Sequence, residues 1–124
     1  MVIYLHKNYE NMFKVAIVGG ENMGDYRFFV EKCVFFLKNK TKSGLMILTI
    51  GDKFVDILTT TANIDKQMFF CDWKAHGNDA IKNRNEKIIK ESDAFIVFDD
   101  ETKNTNFFMK MAKESGKPIR IIKK

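Results

Sequence analysis

Short apolar runs alternate along the chain with stretches of helical spacing. Phe13-Lys14-Val15-Ala16-Ile17-Val18 is β-branched and halted by Gly19-Gly20, the pattern of a buried parallel strand feeding a tight turn. From Asp25 to Lys38, apolar residues at Tyr26, Phe29, Val30, Cys33, Val34 and Leu37 follow the i, i+3, i+4, i+7 rule and predict a first helix. Phe28, Phe35 and Phe36 widen its stripe beyond what packing on one sheet requires. Residues 45–50 read as a second strand stopped at Gly51-Asp52, residues 54–60 as a short helix, and residues 67–71 as a third strand. A helix over 78–92 starts at Asn78 as its N-cap. Residues 94–98 are the clearest strand of all. A polar loop, 99–104, and a helix over 105–115 follow; Gly116 then stops the helix and Pro118 opens a last strand through Ile122.

Strands that alternate with helices pair in parallel, because each crossover helix returns the chain to the same end of the sheet. The expectation is therefore a Rossmann-like three-layer α/β/α fold with a mainly parallel sheet of about five strands. A chain of 124 residues has room for one such domain, assigned to 13–124, with residues 1–12 left as an N-terminal extension.

Composition adds constraints. An apolar share of 45%, a single proline and seven scattered glycines argue for a chain folded nearly throughout. Cys33 and Cys71 have no CxxC spacing and read as buried, reduced thiols. The longest apolar run, 46–50, is far short of the ~20 residues of a membrane span. Lys7, Glu10 and Lys14 interrupt the apolar start too early for a secretory signal, so a cytoplasmic protein is expected. The net charge of +5 comes almost wholly from dispersed lysine, with only Arg27, Arg84 and Arg120 as arginines. Dispersed lysine serves solubility and argues against nucleic acid as the partner.

In an open parallel sheet, ligands lie outside the carboxyl ends of the strands, where helix N-termini present unpaired N–H groups. The loops in question are 19–25, 51–56, 72–84 and 99–105. Gly19-Gly20 lets the backbone approach a phosphate, but the spacing is neither GxGxxG nor GxxxxGK[ST]. The run Asp72-Trp73-Lys74-Ala75-His76-Gly77-Asn78-Asp79-Ala80-Ile81-Lys82-Asn83-Arg84-Asn85 is richer. Trp73 has the plane to stack on a base, His76 a donor for phosphate and Arg84 a bidentate fork. The plainer reading makes Trp73 a gap filler, His76 an exposed turn residue and Arg84 a surface ion-pair partner.

That run, with VAIVGGENMGDYRF before it, Gly51 and Asp56 in the second loop, and AFIVFDDETKNT and MAKESGKPI after it, resembles the YspA/cpYpsA-related branch of the SLOG superfamily, which also holds the DprA-like and LONELY GUY-like proteins. The likeness covers most of residues 13–122. It implies a Rossmann-like fold and a pocket for a nucleotide-derived ligand formed by Gly19, Gly20, Gly51, Asp56, Trp73, His76, Gly77, Arg84, Asn85 and Thr105. The chain departs from the pattern of the phosphoribohydrolases of that superfamily, which carry PGGxGTxxE after the fourth strand. Here Thr105 matches, the glycines do not, and Phe108 stands where the glutamate would be. Three acids, Asp99, Asp100 and Glu101, occupy the place of the phosphate. They disfavour an unshielded anion by about 1 kcal/mol per close pair in water. They also offer the carboxylate oxygens that Mg²⁺ prefers, the plainer reading being a solvated loop tip.

Three functions follow from these residues. The first is a module that binds a nucleotide-derived or phosphorylated small molecule, for sensing or sequestration, without turnover. The second is a hydrolase of an N-glycosidic or phosphoester bond, with acid–base duty on Asp72, His76 or Asp99. The third is DprA-like binding of single-stranded nucleic acid through lysines and exposed aromatics. The wide apolar stripe of the first helix predicts a covered surface and hence a homo-oligomer, most simply a homodimer.

Overall fold

The computed structural model describes residues 11–123. Its elements run β1 (Phe13–Val18), α1 (Tyr26–Leu37), β2 (Leu45–Thr49), α2 (Lys53–Ala62), β3 (Asp65–Met68), a one-turn α3 (Trp73–His76), α4 (Ala80–Glu91), β4 (Ala94–Phe98), α5 (Lys103–Glu114) and β5 (Ile119–Ile122). All strand pairings are parallel, in the order β3-β2-β1-β4-β5. The chain winds outward from β1 through β2 to β3, then returns to the other side of β1 for β4 and β5.

The period of two along a strand sorts side chains into two cores, one on each face. Val15 and Ile17 of β1, with Ile47 and Ile96, meet Phe29 and Cys33 of α1 and Val55 and Leu58 of α2. Ala16 and Val18, with Leu48, Phe95 and Val97, meet Ile88 and Ile89 of α4 and Phe108 and Met109 of α5. The sheet is therefore the middle of three layers, as expected. Each large side chain buried in this way contributes roughly 1.5–3 kcal/mol. The first core is aromatic at its upper end, where Phe29 packs on Phe98 and Phe54 with ring centroids 5.0 and 5.6 Å apart.

β1 and β4 match their expected bounds, whereas other elements differ for identifiable reasons. The third strand was expected at 67–71 and lies at Asp65–Met68. Phe69 and Phe70 supplied the apolar signal, but β3 is an edge strand, and its polar Asp65-Lys66-Gln67 need only pair with Met46–Leu48. α2 runs to Ala62 instead of Thr60 and ends at Asn63, which takes the left-handed conformation at a φ of 55°; the hydroxyls of Thr59 and Thr61 donate to the carbonyls of Val55 and Ile57 at 2.9 and 2.8 Å. Asn78 is not an N-cap; it sits in a 3₁₀ turn, Gly77–Asp79, ahead of α4. α5 begins at Lys103, two residues early, since Thr102 caps it by accepting from the Thr105 amide. The stripe of α1 is narrower than the sequence implied. Phe28 and Phe36 turn inward against the core, while Val34 and Phe35 face outward. Cys33 is buried, and burial pushes its thiol far up, leaving it inert; Cys71 is only half-buried, a correction to the paired expectation.

Of the N-terminal extension, residues 1–10 lie outside the described residues, and Met12 packs in the core that α4 and α5 share with the sheet. No helix among the described residues is long and apolar enough to cross a membrane.

Candidate functional site

The strand order reverses between β1 and β4, so the loops leaving β1 and β2 diverge from the loop leaving β4 and open a cleft at the carboxyl edge. The cleft measures about 240 Å³. Val18, Gly19, Glu21 and Asn22 line it from β1, Ile50, Gly51 and Asp52 from β2, and Thr102, Asn104 and Thr105 from the start of α5.

Carboxylates fasten the first two loops together. Thr49, wholly buried at the end of β2, accepts from the amides of Gly51 and Asp52 through its hydroxyl at 3.1 and 3.3 Å. The turn this makes aims Asp52 back at its own helix, where it accepts from Phe54 at 2.8 Å and caps α2, and across at the Glu21 amide at 3.2 Å. Glu21 reciprocates by accepting from the Lys53 amide at 3.1 Å. Burial pushes the Asp52 carboxyl above the ordinary 3.8, against the amides of Glu21 and Phe54 that favour its ionised form, and the Glu21 charge adds to the rise. The N-terminus of α2 is thus already supplied with negative charge by the protein.

The third loop is fastened by Asp100, which accepts from the Asn22 side chain at 2.6 Å and from the Thr102 hydroxyl and amide at 2.7 and 3.0 Å. Burial alone would raise its carboxyl, but the hydrogen bonds from Asn22 and Thr102 outweigh burial and hold it below 3.8. A carboxyl depressed on folding adds stability above its unfolded value, and that stability is lost as pH falls through the lower folded value. Asp100→Asn is accordingly expected to be less stable than the parent at pH 7. In urea titrations taken from pH 7 downward, the gap between the two proteins should close below pH 3.8; a gap that is constant with pH would show that the Asp100 charge plays no part. Asp52, shifted the other way, recovers stability on acidification in both proteins and cancels from the comparison.

Of the ten residues expected to bind ligand, Gly19, Gly51 and Thr105 line this cleft. Gly20 lies just beneath it, packed on Phe29. Asp56 is turned to an ion pair with Lys66 at 2.7 Å. The segment from Asp72 to Asp79 is exposed throughout, with Trp73 57% exposed and Gly77 at a φ of 53°. The lining of the cleft includes neither Trp73 nor His76 nor Arg84. The Arg84 guanidinium folds back on Asn85, donating to its Oδ1 at 3.2 Å. Asn85 is wholly buried, and its Nδ2 has no hydrogen-bond partner among the described residues.

The catalytic candidates are not gathered. Asp72 caps α3 by accepting from Ala75 at 3.0 Å, His76 is exposed, and Asp99 accepts from the Glu101 amide at 3.1 Å. Phe108 is buried in the core that α4 and α5 share with the sheet, against Phe95. Asp99 and Asp100 accept hydrogen bonds within their own loop, and Glu101 stands there at a φ of 64°. Among the described residues, no group of three His, Cys, Asp or Glu side chains is arranged to hold a metal ion.

Glu21, Asn22, Asp52, Thr102 and Asn104 are the polar cleft residues that the sequence did not single out. Their loops were marked by topology, and Asp52 carried one usable signal: an Asp after a glycine at a strand end, directly before a helix, is an N-cap. Comparison with known proteins finds no family model, no curated protein and no solved structure that matches the chain.

Proposed function

We propose that the chain binds a nucleotide-derived or other phosphorylated small molecule in the strand-end cleft, as a sensing or sequestering module without turnover. The observation that carries this reading is the position of the cleft. It opens at the point where the strand order reverses, bounded by the loops of three adjacent strands, and open α/β sheets take their ligands there.

The two helix N-termini at its walls differ in what they accept. The first amides of α2 are taken by Glu21 and Asp52. α5 is capped by the neutral hydroxyl of Thr102, which itself donates to Asp100, so among the described residues no carboxylate takes the first amides of this helix directly, and a phosphate is better placed here than at α2. The resemblance over residues 13–122 supports the nucleotide-derived class, and Phe108 in place of a glutamate supports binding without cleavage. The cytoplasm is the compartment this reading assumes.

Thermal denaturation with adenosine monophosphate and with ADP-ribose tests the proposal. A ligand at a hundredfold excess over its Kd adds about 2.7 kcal/mol, which for a domain of this size raises Tm by roughly 10 °C. Asn104→Glu, which puts a carboxylate on the α5 wall, is expected to weaken binding by about tenfold. A screen in which neither nucleotide moves Tm would overturn the reading.

A further inference from the structure

The amino end of the sheet, opposite the cleft, carries an apolar surface on which the cleft makes no demand. The last turns of α1 stand there between two grooves. One, of about 310 Å³, runs past Phe13, Phe36 and Pro118; the other, of about 170 Å³, lies towards α2 and includes Leu45, Leu58 and Ile64. Leu37 and Lys40 line both, so the helix end divides them. On that dividing wall Val34 is 56% exposed and Phe35 59% exposed. Two large apolar side chains projecting between two apolar hollows form a surface shaped to be covered.

Its charge is of one sign. Lys38, Lys40, Lys42 and Arg120 line the grooves, and among the described residues no carboxylate does. The ammonium groups of Lys38 and Lys40 lie 4.6 and 4.0 Å from the ring centres of Phe35 and Phe13, so the cations are held against the apolar ground. Nearby carboxylates are engaged elsewhere: Glu31 with Arg27 at 3.4 Å, Glu91 with the Lys14 ammonium at 3.6 Å, and Asp93 with the Lys14 amide at 2.8 Å. Asp65, which follows Ile64, offsets at most one of the four cations.

We propose that this face docks an acidic amphipathic segment of another protein, whose apolar side chains enter the two grooves while its carboxylates meet Lys38, Lys40, Lys42 and Arg120. Charge complementarity selects this occupant. A second copy, paired through α1 about a two-fold axis, would set the same lysines against each other. A lipid surface would neutralise the lysines but leave the hollows unfilled, whereas a peptide helix supplies anchors at i, i+3, i+4 and i+7.

Fluorescence anisotropy with two labelled helical peptides tests the proposal. Both carry the same leucine and phenylalanine positions; one has glutamate and the other lysine at its polar positions. The full chain should bind the glutamate peptide, with affinity falling about tenfold between roughly 50 and 300 mM salt, and should bind the lysine peptide at least about tenfold more weakly. Phe35→Glu and the pair Lys38→Glu/Lys40→Glu, all at exposed positions, should each cost about tenfold while leaving Tm unchanged. The proposal is overturned if the two peptides bind equally or neither binds. It is equally overturned if light scattering finds a dimer that Phe35→Glu dissociates, or if phosphatidylserine vesicles capture the chain and compete the glutamate peptide away.

Discussion

Gly19→Ala is expected to destabilise the protein by about 2–5 kcal/mol, the largest loss of any single methyl added at the carboxyl edge of the sheet. Two costs combine there. Gly19 has a φ of 87°, a left-handed conformation that charges a residue bearing a Cβ roughly 1–2 kcal/mol. The added methyl also overlaps the carbonyl oxygen of Phe98, a backbone atom with little room to yield. Phe98 closes β4, opposite Ile122 of β5, and the next amide, Asp99, donates to the Ile122 carbonyl at 2.9 Å. Forcing such an overlap adds about 1–3 kcal/mol. Urea denaturation measures the sum. A loss below about 1 kcal/mol would mean that the β1 loop does not approach β4 as described, and the cleft walls would have to be redrawn.

Phe29→Ala is expected to cost about 3–5 kcal/mol, since the ring is wholly buried among Tyr26, Phe54 and Phe98 and its loss leaves a cavity that these neighbours cannot fill. The ring has a second role. A Cβ on Gly20 would overlap it, so Phe29 is the floor on which the β1 loop rests and from which Glu21 reaches Asp52. Gly20→Ala alone should therefore lose about 1–3 kcal/mol by overpacking, and Phe29→Leu should lose a comparable amount. In the double variant the smaller side chain makes room for the new methyl. The combined loss should fall short of the sum by about 0.5–3 kcal/mol in a double-mutant cycle read by urea denaturation. Strict additivity would show that Gly20 and Phe29 are independent.

The acidity of the cleft bears on what enters it. Glu21, Asp52 and Asp100 each accept backbone or side-chain hydrogen bonds that tie neighbouring loops, so their charge is partly spent before any ligand arrives. The first amides of α2 meet Glu21 and Asp52 directly, whereas Asp100 meets α5 through its cap residue, Thr102. This difference between the two walls is a property of hydrogen-bond partners, and composition gives no sign of it.

How far the sequence could be read depended on how many partners each segment needed. The strands Phe13–Val18 and Ala94–Phe98 are buried on both faces, so apolarity and β-branching were sufficient to mark them. α1 announced itself by a 3.6-residue stripe, and the end of α5 by the conformational freedom of Gly116. β3 was misplaced because an edge strand needs one neighbour and no apolar pattern of its own. The exposed segment after β3, rich in aromatic and polar side chains, drew attention through residue type, its place after a strand and a resemblance in its spacing. Trp73 and His76 have the chemistry of a nucleotide site, yet in the fold both are exposed and neither lines the cleft.

The sequence by itself determined the alternation of strand and helix, the parallel sheet and the edge of that sheet at which a cleft must open, because these follow from local periodicity and chain connectivity. Only the tertiary structure decided that Glu21 and Asp52, far apart along the chain, clasp two loops together. It also decided that Asp100 reaches back to Asn22, and that Val34 and Phe35 stay in the open beside a ring of lysines. Those outcomes depend on distances between segments remote in sequence, and no local pattern encodes such distances.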